Sequence, residues 1–239
     1  MSRRTQIASY FTFVLLALFS GGYGRAWAVE TDTLRIVAFG NSTTATRPGV
    51  RQVYPERLQH LLEKARVQST VFNAGTGGSH TGSLADNDFH KVRHGRERFG
   101  EVLAQQADWV VIWFGINDAW VDDEKHRKSR IPLEVYKRNL NYFIDEIRKQ
   151  GGKVILMTPN PLGSRYETWR SKRLARYRNA TIRVAAANDV KLVDVWQLCT
   201  DYAHENNLTN DDLLLDGMHP NDRAHELIAK VLQDVIQTN

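Results

Sequence analysis

The chain has almost no cysteine: Cys199 stands alone among 239 residues. An intramolecular disulfide and a thiolate metal cluster are therefore excluded. Histidine is present at 8 residues but shows no HExxH-type spacing, so no metal and no other cofactor are expected. Long apolar runs are missing after Ile7 to Phe19, and that run is too short for a comfortable membrane span. There is no internal repeat, low-complexity tract or linker. A large charge excess is missing as well. The formal net charge is +5, but Arg3, Arg4 and Arg25 fall in the first 28 residues, which hold no acid. Without them Lys plus Arg falls from 32 to 29 against 27 acids, a net of +2, and a nucleic-acid partner gains no support.

Those first 28 residues read as a signal peptide. Arg3 and Arg4 form a basic start, the apolar run follows, and Ala26-Trp27-Ala28 has the small-x-small pattern of a signal-peptidase site. Cleavage after Ala28 predicts a secreted or periplasmic protein with no membrane span once the leader is gone. No cysteine lies near the cleavage site, so a lipid anchor is not expected. The remaining span, 29–239, suits one domain that depends on its core for stability.

Within that span apolar runs alternate with helix-period segments. Leu34 to Phe39, Thr70 to Asn73, Trp109 to Phe114, Lys153 to Met157 and Lys191 to Val195 read as strands. The unbroken apolar run from Trp109 is expected of a central strand buried on both faces. Tyr54 to Ala65, Arg96 to Gln106, Arg170 to Asn188 and Arg223 to Gln237 read as helices. Another helix starts at Pro132, buries Tyr136, Leu140, Phe143, Ile144 and Ile147, and ends at Gly151-Gly152. The alternation predicts an α/β fold with a parallel sheet and helices on both faces. The connections Gly75 to Gly95 and Asn117 to Ile131 are long, as functional loops are.

Ligands of an open parallel sheet bind beyond the carboxyl ends of its strands. Four polar segments fall there: Gly40-Asn41-Ser42, Asn73 to Gly78, Gly115-Ile116-Asn117-Asp118, and Asp216-Gly217-Met218-His219. An acid three residues before a histidine can hold the imidazole by one ring nitrogen, leaving the other to take a proton. A serine hydroxyl is a poor nucleophile without such a base. Ser42, His219 and Asp216 are the candidate nucleophile, base and orienting acid.

These blocks resemble the SGNH hydrolases, the GDSL-type esterase superfamily. The serine, glycine, asparagine and histidine for which that family is named occur here in order, and the GxND and DxxH blocks are intact. The resemblance implies a flavodoxin-like three-layer sandwich of about five parallel strands. It implies an oxyanion hole made by the backbone N–H of Ser42, the backbone N–H of Gly78 and the amide of Asn117. Gly78 ends the Asn-x-x-x-x-Gly pattern, with Gly77 or Gly75 as alternatives. Asn41, Asn73 and Asp118 are expected to hold their loops. The family's first block reads Gly-Asp-Ser, whereas this chain has Gly40-Asn41-Ser42. Asparagine is nearly isosteric but neutral, so the loop should keep its shape with weaker support.

The implied function is a serine esterase acting through an acyl-enzyme. Gly40-x-Ser42-Thr43-Thr44 resembles the bacterial carbohydrate esterases of the superfamily, so a small acyl group, acetyl first, on a glycan or small-molecule ester is the expected substrate. Trp120, Tyr166 and Trp169 suit sugar rings, and Arg130, Arg165 and Arg170 suit uronic acids or other anions. His90-Lys91-Val92-Arg93-His94 reads as a solvated stretch. Two alternatives stand beside this reading. One is a lysophospholipase or thioesterase of the same fold, although no long apolar lid segment is evident. The other is a non-catalytic glycan-binding member, which Asn41 alone supports.

Overall fold

The computed structural model describes residues 33–125 and 127–238; the expected leader at 1–28 lies outside them. Among the described residues five strands run in parallel: β1 (Leu34–Gly40), β2 (Ser69–Gly75), β3 (Trp109–Trp113), β4 (Lys153–Met157) and β5 (Lys191–Val193). Their order across the sheet is β2-β1-β3-β4-β5. The helices are α1 (Tyr54–Lys64), α2 (Gly95–Leu103), α3 (Ile116–Ala119), α4 (Leu133–Lys149), α5 (Thr168–Ala187), α6 (Val195–Glu205) and α7 (Asp222–Gln237). This is the parallel α/β fold that the alternation predicts and the flavodoxin-like sandwich that the resemblance implies.

Side chains along a strand point alternately to opposite faces. Ile36 and Ala38 of β1, with Trp109, Val111 and Trp113 of β3, pack against α1, α6 and α7. Val37 and Phe39, with Val110 and Ile112, pack against α2, α4 and α5. β3 is buried along its whole length, as its unbroken apolar run requires. The predicted stripe of α4 is buried, and Gly151, at φ +84°, closes the helix where an L side chain would be strained.

Helices α3 and α6 stand where none is expected, and the fifth strand stops at Val193 instead of Val195, because Asp194 caps α6. Its Oδ1 accepts from Gln197 N–H at 3.2 Å, and Arg178 Nη2 donates to Oδ2 at 2.6 Å. Val195, Cys199 and Ala203, four residues apart, form the buried side of this helix. The lone cysteine is thus a core residue, and burial pushes its thiol up to about 12.

The chain leaves β1 for β2 on one side, then returns past β1 to β3 on the other. That reversal opens a crevice at the carboxyl ends of β1 and β3. Beneath it Phe39 contacts Phe114 at 4.9 Å and Phe143 at 5.3 Å between ring centroids, and Phe143 contacts Phe99 at 4.5 Å. Replacing Phe143 with alanine leaves a cavity in this cluster and should lower unfolding stability by about 3–5 kcal/mol. Urea denaturation with an unchanged slope would register the loss.

Candidate active site

β1 ends at Gly40 and the chain turns at once. Buried Asn41 governs the turn through two oxygens. Its Oδ1 accepts from Thr43 N–H at 2.9 Å and Thr43 Oγ1–H at 2.8 Å, and its carbonyl accepts from Thr44 and Ala45 N–H at 3.1 and 3.0 Å. All four bonds need an acceptor, not a charge, so the asparagine supplies them as a carboxylate would. β2 presses on the same turn. A Cβ on Gly75 would lie 2.3 Å from the Ala45 nitrogen, so no larger residue fits there unmoved. Asn73 Nδ2 donates to the Thr44 carbonyl at 3.0 Å, while its Oδ1 accepts from Gly75 N–H at 2.9 Å.

The second part of the site is a tight turn before α7. Gly217 adopts φ +79°, and Leu215 N–H donates to the His219 carbonyl at 2.7 Å. Asp216 Oδ1 accepts from the backbone N–H groups of Met218 and His219 at 3.1 and 2.9 Å. The His219 ring closes onto the same carboxylate, with Nδ1 2.8 Å from Oδ2. An ionised carboxylate can only accept, so Nδ1 carries the hydrogen and Nε2 keeps its lone pair. Nε2 lies 3.0 Å from Ser42 Oγ. Ser42 and the neighbouring Asp216–His219 pair, remote from each other in sequence, thus form one hydrogen-bonded row.

Electrostatics favour the neutral ring. Burial is the main cause that holds His219 below its ordinary 6.5; Asp216 raises it, and the Arg47 guanidinium lowers it further. Burial works to raise Asp216, but the His219 N–H and imidazole outweigh it and keep the carboxyl below the usual range. Arg47 Nη2 stands 3.5 Å from Asp216 Oδ2, and Arg165 Nη1 donates to the Asp216 carbonyl at 3.0 Å.

The third part comes from the ends of β2 and β3. Gly78 adopts φ +74°, and a Cβ there would meet the His90 ring at 2.9 Å, whereas a Cβ on Gly77 would meet nothing within 4 Å. Gly78 is therefore the glycine whose conformation the loop requires. Among the described residues, the backbone N–H groups of Ser42 and Gly78 donate to no protein acceptor. Asn117, in α3, donates from Nδ2 to the Ser79 carbonyl at 2.8 Å and accepts from Arg130 Nη1 at 3.4 Å. Asp118 is fully buried and ties the two loops together. Its Oδ1 accepts from Thr81 N–H and Oγ1–H at 2.9 and 2.6 Å, and its Oδ2 accepts from Gly115 N–H at 3.0 Å. Burial pushes this carboxyl up to about 6 against those donors.

These parts surround an open cleft of about 560 Å³, lined by Ser42, Arg47, Gly78, Asn117, Trp120 and His219 among others. Of the aromatics expected at a substrate, only Trp120 lines it. Tyr166 packs edge-on against Trp120 at 5.7 Å, and Trp169 lies under Arg170, whose guanidinium is 4.4 Å away. The three expected arginines already have partners: Arg130 pairs with Asp122, Arg170 with Glu124 and Glu167, and Arg165 with the Asp216 carbonyl. The stretch His90 to His94 is not simply solvated. His90 lines the cleft with Phe89, and His94 is buried at 1% exposure, its ring stacked on His80 at 3.5 Å. Arg47 is a further site residue, outside the four polar blocks. Its position five residues after Ser42, beyond the turn, was the available signal.

Comparison with known proteins agrees with the fold. Residues 38–227 match the model of the GDSL-like Lipase/Acylhydrolase family. The lipoprotein YqeF of Bacillus subtilis (strain 168) is 30% identical over 93% of this chain and 95% of its own. The crystal structure of the lipase/acylhydrolase from Enterococcus faecalis superposes with a TM-score of 0.69 at 28% identity, covering 86% of this chain and 96% of that one. An acetyl xylan esterase, AlAXEase, superposes with a TM-score of 0.68 at 25% identity, covering 85% of this chain and 100% of that one. The chain belongs to the GDSL-like lipase/acylhydrolase family.

Proposed function

We propose that this protein is an exported serine esterase that removes short acyl groups, acetyl first, from a carbohydrate. The observation that carries the reading is the 3.0 Å contact between Ser42 Oγ and a His219 whose other nitrogen is held by Asp216. In the proposed reaction Oγ attacks the ester carbonyl while Nε2 takes its proton. The carbonyl oxygen becomes an oxyanion facing the N–H groups of Ser42 and Gly78 and the amide of Asn117. The intermediate expels the alcohol, which leaves with the proton from His219, and the acyl group stays on Oγ. Water then attacks the acyl-enzyme by the same route, releasing the acid and restoring Ser42. Asp216 keeps the ring in its working tautomer and stabilises the imidazolium.

The substrate side rests on the open cleft, on Trp120, which lines it while stacking under Arg170, and on the likeness to an acetyl xylan esterase. Export rests on residues 1–28 and their Ala26-Trp27-Ala28 end. Asn41 does not argue for a decayed site, because its Oδ1 makes both turn bonds.

With p-nitrophenyl acetate, Ser42→Ala and His219→Ala should each reduce kcat/KM by about 10⁴-fold or more. Turnover that survives in either variant removes the proposed roles. A series of p-nitrophenyl esters should favour acetate over acyl chains of eight carbons; the reverse preference points to lipid substrates instead.

The pH profile follows from His219. The base works only when neutral, and burial lowers its pKa, so kcat/KM should fall only below pH 6.5 and stay level above it. Arg47→Met removes a cation that lowers the His219 pKa, so the acid limb should move to higher pH. An unmoved limb shows that Arg47 does not tune the base.

A further inference from the structure

α2 carries a buried arginine that the proposed reaction leaves unused. Arg98 is 7% exposed, and its guanidinium spans three segments at once. Nη1 donates to the Ala74 carbonyl at 2.7 Å, at the end of β2. Nη2 donates to the Gly40 carbonyl at 3.0 Å, at the end of β1, and to Ser79 Oγ at 3.1 Å. Below it lies the Phe39 ring, 5.1 Å from the guanidinium carbon. Among the described residues no carboxylate hydrogen-bonds it, and its Nε has no partner.

Glu101 attracts this cation without hydrogen-bonding to it, and burial remains the larger influence; an apolar residue of similar shape would avoid the cost of burying the charge. What the guanidinium supplies is geometry. Its planar fork fixes several acceptors at set angles, which a lysine cannot do. Gly40 stands two residues before Ser42, and Ser79 directly follows Gly78. One rigid group therefore sets the spacing between the turn of the proposed nucleophile and the loop of a proposed oxyanion donor. Ser79 is held from the other side as well, since its carbonyl accepts from Asn117 Nδ2. Arg98 and Asn117 grip one residue through two different oxygens, and that residue links the two remaining donors.

We propose that Arg98 is a positioning residue that holds the Gly78–Ser79 loop in register with the Ser42 turn, so that the oxyanion donors converge. The assignment rests on the esterase reading of the site. Arg98 touches no reacting atom. Its removal should let the donors drift apart, which affects the transition state more than substrate binding.

The test counts active sites separately from rate. Ser42 is titrated with a fluorophosphonate, and kcat for p-nitrophenyl acetate is expressed per labelled serine, so a loss of folded protein does not lower the value. Arg98→Met should reduce kcat per labelled serine by about 10- to 10²-fold with little change in KM. Arg98→Lys should recover part of that loss. Ser79→Ala removes one acceptor and no charge, and should reduce kcat by less than about tenfold without moving the urea midpoint. The double variant Arg98→Met/Ser79→Ala should be no slower than Arg98→Met, because both act on one contact. A kcat per labelled serine within about twofold of wild type in Arg98→Met, or fully additive losses, overturns the proposal. If Arg98→Met does not fold, unchanged kcat in Ser79→Ala overturns it. A wild type that neither labels nor turns over contradicts the esterase reading; an active wild type indifferent to these changes contradicts only the role of Arg98.

Discussion

Parallel strands deliver all their carboxyl ends to one edge of a sheet, and a reversal of strand order leaves a gap there that no connection crosses. In this chain the reversal lies between β2 and β3, on either side of β1. The turn after β1 carries Ser42, the loop after β2 carries Gly78, and the short helix after β3 carries Asn117. His219 reaches the same edge from the turn before α7, which packs on the opposite side of β1 from α2. The hydrogen-bonded row is therefore a consequence of topology first and of side-chain chemistry second.

The loops at this edge are pinned by buried and half-buried polar groups, each bonded to several partners. Asn41 holds its own turn, Asn73 joins β2 to that turn, Asp118 joins the second loop to the third, and Arg98 spans the first and second. Such networks are stabilising only when complete, and a gap in one leaves a buried donor or acceptor without water. A neutral residue can stand at position 41 because each of the bonds it accepts asks only for an oxygen lone pair. At His219 the balance is different. Burial lowers the ring's affinity for a proton, while the Asp216 carboxylate remains ready to stabilise the ring once it is charged.

Much of this was readable in the chain itself. The unbroken run at Trp109, the stripe from Tyr136 to Ile147 and the paired glycines after it report burial, period and termination through local chemistry. The four polar blocks were readable because each directly follows a strand or precedes a helix. What escaped detection depends on contacts between distant segments. Val195, Cys199 and Ala203 form too thin a stripe to stand out, and their helix declares itself only once Arg178 locks its cap. His90 and His94 share one charged stretch, yet one faces the cleft and the other is buried, because the loop from Gly78 folds back on α2. Tyr166 and Trp169 looked like a sugar platform from composition. In the fold Tyr166 stands perpendicular to Trp120 and Trp169 lies under Arg170, and neither lines the cleft.

The central claim is that the Ser42 hydroxyl becomes a nucleophile because His219 takes its proton. The most direct measurement is the rate at which a fluorophosphonate modifies the folded protein as a function of pH, with the modified peptide identified by mass spectrometry. The account requires a single adduct on Ser42, formed at a rate that falls on acidification as His219 charges and that collapses in His219→Ala. An adduct on another residue, or labelling of Ser42 that is indifferent to the loss of the imidazole, would contradict it.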